Sequence, residues 1–357
     1  MAEKPEFSIN GIQQVGVGTC NFRKSWDWFI EHLGFDVKIL EDDTVAERML
    51  PYTGGKPQKR HACITVNLNG GGGLEIWQYS DREPKPADRP AVFGDLGIFA
   101  AKIKCRDVVS LHRQLNDRGI KVTPLSTTPD GKFSFFLYDL YGNVFQVIQC
   151  KSTFIRQRQI AGGVTGAMIG VTDMDKSLEF YRTVLGYDIV RFDVTGIQED
   201  WAAAPGGKES YRRVLISSSR KASGPFGRLF GNNSIELVQA LDRTPVKLYE
   251  GRYWGDPGFI QICYDVFGMD ALGKHCAALG HPFTVDSCPD GQIFDMGDAS
   301  GRFTYIEDPD GTLIEFVETY KIPVVKKLNW NIYLIKHNNR KPLPKLLFRA
   351  MGLVSRQ

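Results

Sequence analysis

One pattern, written four times, constrains this chain more than anything else in it. The run YIEDPDGTLIEFVETY, from Tyr305 to Tyr320, sets a DPDG turn between two apolar and aromatic stretches. That is the signal for a β-hairpin or a tight strand-to-strand connection. Its second stretch puts Glu315 in mid-strand between Ile314 and Phe316, on the face shared by Leu313 and Val317. Burying an unpaired carboxylate there costs on the order of several kcal/mol, so Glu315 is either an exposed edge residue or a ligand. FFLYDLYGNVFQVIQ, Phe135 to Gln149, repeats the pattern with Gln146 in the central slot. GGGGLEIWQY and GNNSIELVQA repeat the strand after glycine-rich turns, with Glu75 and Glu236 in that slot. Four such strands imply four copies of one unit.

The segments between them agree. INGIQQVGVG alternates as a strand should, and Asn21 caps FRKSWDWFIEHLG, whose Phe22, Trp26, Phe29, Ile30 and Leu33 fall at helical spacing before Gly34. Strands at FDVKIL, HACITVNL and LEIWQY complete a β-α-β-β-β unit. A second, shorter unit starts at Phe99, has a helix from Asp107 to Arg118 stopped by Gly119, and ends on the Gln146 strand. The basic, polar stretch Lys151 to Gly163 reads as a boundary, after which GVTGAMIGVTDMDKSLEFYRTVLGYDI restarts the pattern. A fourth unit holds Phe259 to Val266, a helix from Met269 to Leu279, and the Glu315 strand. The fold class expected is α+β, a duplicated pair of βαβββ units, four modules in all. Two domains, 1–152 and 162–320, are followed by an extension, 321–357.

That extension has nine Lys or Arg and no acid, whereas the first 320 residues hold 35 basic against 41 acidic side chains. It reads as an accessory element strapped over an acidic body; nucleic acid is not an expected partner, and contact with a membrane surface is the minority reading. Seven cysteines, without C-x-x-C spacing, suit reduced thiols packed as small hydrophobes. With no apolar run at MAEKPEFSI, the expected compartment is cytoplasmic. Of the histidines, His61 opens a strand and is placed to face a cavity. Lys102 and Lys104, alternating with Ala101 and Ile103, read as solvated lysines, with an anion-binding second cleft as the other reading.

DMDKSLEFYRTVLG, EDPDGTLIEF and IQQVGVGTCNFRKS together resemble the vicinal oxygen chelate superfamily, which includes glyoxalase I, extradiol dioxygenases and bleomycin-type resistance proteins. The resemblance covers roughly residues 9 to 320. It implies that the four βαβββ modules form two paired half-barrels, two units curling around a metal, with ligands from the first and last strand of each. Carried over, the first-strand slot falls on Gln14, Ala100, Gly166 and Gln261, and the last-strand slot on Glu75, Gln146, Glu236 and Glu315. Pairing unit one with four gives one site with Gln14, Glu75, Gln261 and Glu315 and leaves the two-three cleft almost without donors, the simpler account. Pairing one with two and three with four gives two damaged sites.

No first-strand slot holds a histidine. Two carboxylates with two amide oxygens suit one hard or borderline divalent ion, Mn, Mg, Ni, Co or Zn, better than iron. The reading implied is a glyoxalase I-like lyase, isomerase or epimerase that acts on a small carbonyl compound through a metal-stabilised enolate or enediolate. Glu75 or Glu315 would serve as ligand and, off the metal, as general base. Two alternatives stand beside it. One is an extradiol dioxygenase-like oxidoreductase with Glu236, Gln261 and Glu315 in the C-terminal pair; the other is a metal-free protein that sequesters a small ligand. No reading requires an oligomer.

Overall fold

The computed structural model describes residues 6–289, 293–295, 299–325, 330–334 and 341–357. The first unit runs β1 (Ser8–Gly18), α1 (Phe22–Leu33), β2 (Val37–Ala46), β3 (Gln58–Val66), β4 (Gly73–Tyr79). The second is β5 (Gly97–Cys105), α2 (Val108–Asp117), β6 (Ser126–Thr127), β7 (Phe133–Tyr138), β8 (Val144–Gln149). In the third, β9 (Ala161–Gly170), α3 (Met174–Thr183), β10 (Ile189–Ile197) and β11 (Ser210–Ser217) precede a short α4 (Gly227–Phe230) and β12 (Ser234–Ala240). The fourth has β13 (Gly258–Phe267), α5 (Met269–Ala278), β14 (Val285–Asp286), β15 (Phe294–Asp295), β16 (Ser300–Glu307) and β17 (Leu313–Val325). Beyond it lie β18 (Trp330–Tyr333) and α6 (Lys345–Val354).

Local chemistry sets these boundaries. Asn21 Oδ1 accepts from the Lys24 amide at 3.0 Å, which satisfies one free donor of the first turn of α1. Gly34 ends the helix at φ 71°, a left-handed position that glycine adopts without a Cβ penalty.

The strands form two sheets, and the order within each is not the chain order. One sheet runs β14-β16-β17-β13-β1-β4-β3-β2, with β15 on β16 and β18 on β17; the other runs β10-β11-β12-β9-β5-β8-β7-β6. Units one and four therefore share a sheet through the antiparallel β1/β13 seam, and units two and three share the other through β5/β9. Each half of the chain contributes one unit to each sheet. The four long helices pack with faces of both sheets into one apolar core. At its centre Phe145 of β8 meets Phe29 of α1 and Phe259 of β13 at ring separations of 5.6 and 5.1 Å.

Two stretches that read as polar in sequence are tied down. In the segment after β8, the Phe154 and Ile155 amides donate to the Asn69 and Leu68 carbonyls, at 2.8 and 2.9 Å. Phe154 then stacks edge-on against Phe348 of α6, centroids 5.0 Å apart. The extension is bound partly by apolar contact and partly by charge: Ile332, Leu334, Phe348 and Met351 are buried, and Arg356 pairs with Asp36 at 2.8 Å. Residues 326–329 and 335–340, which carry four of the nine basic side chains, lie outside the described residues.

Candidate active site

The central strands of the first sheet, in the order β4-β1-β13-β17, bring Glu75, Gln14, Gln261 and Glu315 together, one side chain from each. Gln261 Nε2 donates to Glu75 Oε2 at 2.8 Å and to Glu315 Oε2 at 3.4 Å. The Gln14 carboxamide also bonds the Glu75 carboxylate. Gln14, Gln261 and Glu315 are buried and Glu75 is half-buried.

The electrostatics of this group are unbalanced. Burial pushes the Glu315 pKa up to about 8, and the nearby Glu75 carboxylate adds to the shift. Burial raises Glu75 too, with the Arg60 guanidinium working in the opposite direction. Arg60 itself is engaged with Asp42 at 2.7 Å. Among the described residues neither Gln14 Oε1 nor Gln261 Oε1 has a hydrogen-bond partner, although leaving a buried amide oxygen unpaired costs about 1–3 kcal/mol. Two facing carboxylates and two unsatisfied amide oxygens are what a hard or borderline divalent cation satisfies. Exchanging the oxygen and nitrogen of the Gln261 amide would turn its oxygen toward the carboxylates. Among the described residues no three His, Cys, Asp or Glu side chains converge, so a metal here would take half its protein ligands from carboxamides.

Three neighbours complete the site, and sequence reasoning missed all of them. Tyr305 lies directly across the β16/β17 pair from Glu315 and bonds its carboxylate. The DPDG turn gives that register: strands folding back about residues 308–311 set Tyr305 opposite Glu315. Cys263, beside Glu315 in the parallel β13/β17 pair, is a buried thiol whose pKa lies well above the ordinary value, through burial first and Glu315 second. A nucleophilic role does not suit it. Gly16 is the third. A Cβ there would stand 2.5 Å from Gln261 Oε1, so the glycine of GVG is the floor over which the Gln261 side chain lies.

His61 is not part of the group. Its ring stacks on Phe22 at 4.0 Å, and Nε2 lies 3.0 Å from Glu41 Oε1. The set Glu236, Gln261 and Glu315 is not assembled, because Glu236 belongs to β12 in the other sheet.

The corresponding slots of that second sheet hold Glu236, Gly166, Ala100 and Gln146, and its carboxylate is already neutralised. Lys102 Nζ lies 2.5 Å from Glu236 Oε2, and Arg213 bonds both Glu236, at 2.7 Å, and Asp200, at 2.6 Å. Burial opposes ionisation of Glu236, but Arg213 and Lys102 outweigh it and hold the pKa below the ordinary value. The reading of Lys102 and Lys104 as solvated is thus corrected: they are 1% and 7% exposed. Alternation with apolar residues signals a solvated lysine only on a half-exposed strand, and β5 is covered on both faces. Lys102 supplies from within the chain the positive charge that the first sheet lacks. Phe93, Phe99, Phe136, Met168 and Trp201 fill the space around this ion cluster.

Three of the four donors, Gln14, Glu75 and Glu315, line a cavity of about 270 Å³, with Trp77, Trp254 and Tyr305 among its walls.

A family model, the Glyoxalase/Bleomycin resistance protein/Dioxygenase superfamily, matches residues 11–147 and 163–316. Among solved structures, glyoxalase I from Zea mays superposes with a TM-score of 0.54 at 15% identity, over 87% of this chain and 93% of that one. A Bacillus subtilis protein proposed to be a dioxygenase superposes with a TM-score of 0.56 at 13% identity, over 87% and 86%. Comparison with curated protein sequences gave no significant match. At these identities the structural likeness speaks for the fold, four modules in two curled sheets. The family match spans most of the chain, and this protein belongs to the glyoxalase/bleomycin resistance protein/dioxygenase superfamily.

Proposed function

We propose that the chain is a metal-dependent enzyme of the glyoxalase I-like kind, taking a small carbonyl compound through an enolate or enediolate in an isomerisation, epimerisation or lyase step. The observation that carries this is the Gln14–Glu75–Gln261–Glu315 group: two carboxylates held against each other, with two buried amide oxygens unpartnered. One divalent cation bound there would polarise the substrate carbonyl and lower the cost of negative charge on its oxygen.

The chain's own residues do the rest. Glu315, with its pKa near 8 before a cation binds, is a carboxylate of unusual basicity. A base whose pKa lies near the operating pH is the effective one for taking a proton from carbon. Glu75 and Glu315 flank Gln261 on either side, so one can hold the cation while the other moves the proton between adjacent carbons. Tyr305 bonds Glu315 and fixes its orientation. Trp77 and Trp254, ring centroids 4.7 Å apart, give the cavity an apolar wall beside the donors.

The test is titration of metal-stripped protein with Mn²⁺, Ni²⁺, Co²⁺ and Zn²⁺ by calorimetry. One site per chain is expected, lost in Glu75→Gln and in Glu315→Gln and weakened about tenfold in Gln14→Ala, since water replaces a neutral amide ligand more easily than an anionic one. Absence of a stoichiometric site, or its survival in the double Glu75→Gln/Glu315→Gln variant, would overturn the proposal.

A further inference from the structure

The cavity lined by Gln14, Glu75 and Glu315 is mixed in composition: carboxylates line one part of it and the C-terminal extension another. Its lining includes Glu75 and Glu315, and also Leu229 and Phe230 of α4, Ile322 of β17, and Phe348 and Met351 of α6. These five side chains are all buried in one apolar cluster. Four of them come from α4 and α6, outside the four-strand centre of the sheet, and Ile322 comes from the far end of β17, past Glu315, so this second end is built mostly from elements other than those of the donor group. We infer that the substrate of this site is an amphiphile, a carbonyl head at the carboxylates carrying an uncharged apolar chain or ring that runs to α6. The identity of the head rests on the proposed metal-dependent reading; the apolar arm rests on the lining alone.

Charge along the wall supports the same class. Among the described residues three arginines line the cavity: Arg60 is tied to Asp42, Arg302 is tied to Asp286 and Asp270, each at 2.6 or 2.7 Å, and Arg48 is exposed in the segment between β2 and β3. A phosphate or a coenzyme A-type tail would find a counter-ion at Arg48 or by breaking these pairs, but none at the end built by the five apolar side chains, which also offer it no hydrogen bond. An alkyl or aryl body needs neither. A volume of about 270 Å³ lies just under the roughly 300–1,000 Å³ of small-molecule sites and suits a ligand of modest length. The extension is then part of the binding site: α6 closes the far end and sets how long the apolar arm can be. Leu229 and Phe230 reach the same end from unit three, so two sequence-distant insertions meet where the arm would lie.

The probes are two homologous series, n-alkyl hydroxamates from acetohydroxamate to octanohydroxamate and the matching n-alkanols. Each is titrated calorimetrically into full-length protein, metal-free and Mn²⁺-loaded. Burial of one methylene strengthens binding roughly three- to fourfold, so affinity in both series should climb by that factor per carbon and then reach a plateau. Met351→Trp on α6 and, independently, Leu229→Phe on α4 should bring the plateau two or three methylenes earlier, with circular dichroism and melting showing both variants folded. A flat dependence on chain length in the wild type, or a plateau that moves in neither folded variant, would overturn the inference. If the alkanol series climbs while hydroxamates gain nothing from Mn²⁺, the apolar arm stands and the metal-dependent reading fails. If acetohydroxamate binds only with Mn²⁺ and longer chains add nothing, the metal reading stands and the apolar arm fails.

Discussion

Glu315 and Glu236 occupy corresponding slots of the two sheets and show how little the residue type alone decides. Glu236, bonded by Lys102 and Arg213, is held ionised. Glu315, facing another carboxylate and an amide, is pushed up to about 8. A carboxyl with a raised folded-state pKa contributes fully to stability below its unfolded value, about 4.3, and that contribution is lost as the pH rises through 8. Metal-free protein should therefore lose on the order of 2–4 kcal/mol between about pH 4.5 and 8 from this group. Urea denaturation across that range in a chelator should show the fall, and Glu315→Gln or saturating Mn²⁺ should flatten it; identical curves in all three would remove Glu315 as the cause. At the other slot, Glu236→Gln strands the buried Lys102 ammonium and leaves Arg213 to Asp200, and should cost about 3 kcal/mol by urea denaturation while leaving metal stoichiometry intact. A loss of metal would mean that the second sheet takes part in binding.

At the scale of elements, what could be read from the sequence was the strand that repeats and the slot within it. Caps and stops were legible because Asn21 and Gly34 act through local backbone geometry. Glu75 and Glu315 were legible because a carboxylate in mid-strand stands out against apolar neighbours, whereas Gln14, which follows Gln13, and Gln261 were placed by the resemblance to the family. The sister cleft was not, since Lys102 on β5 and Arg213 on β11 have the ordinary look of strand lysine and arginine. Their burial comes from the layer packed over them, and no local pattern encodes that layer. Gly16 is an intermediate case: its glycine is visible, but its purpose, room for Gln261 at 2.5 Å, appears only when β13 is laid beside β1.

On the scale of the whole molecule, the extension belongs to the body. Ile322, Phe348 and Met351 share a core cluster with Phe154 and Phe226. Truncation after Tyr320 strips these, each worth about 1.5–3 kcal/mol of burial, and should lower the melting temperature by roughly 10 °C or more, as differential scanning calorimetry would measure. Leu346 and Leu353 on α6 remain 73% and 86% exposed. An unchanged melting temperature accompanied by loss of binding to anionic vesicles would assign the extension to a membrane surface instead. No helix among the described residues is long and apolar enough to cross a membrane.

The crossed arrangement of the units also bears on how the protein is made. Units two and three are adjacent in the chain and enclosed by one and four, like an inner pair of parentheses, so on the ribosome the inner sheet can close first. β1 pairs on one side with β4, but its other side waits for β13, which begins at Gly258. At roughly 5–20 residues per second, that edge stays open for about 10–50 s. An unpaired edge is where strands from other chains add. The sheet that carries the candidate chemistry is thus the one most dependent on shelter by chaperones during synthesis.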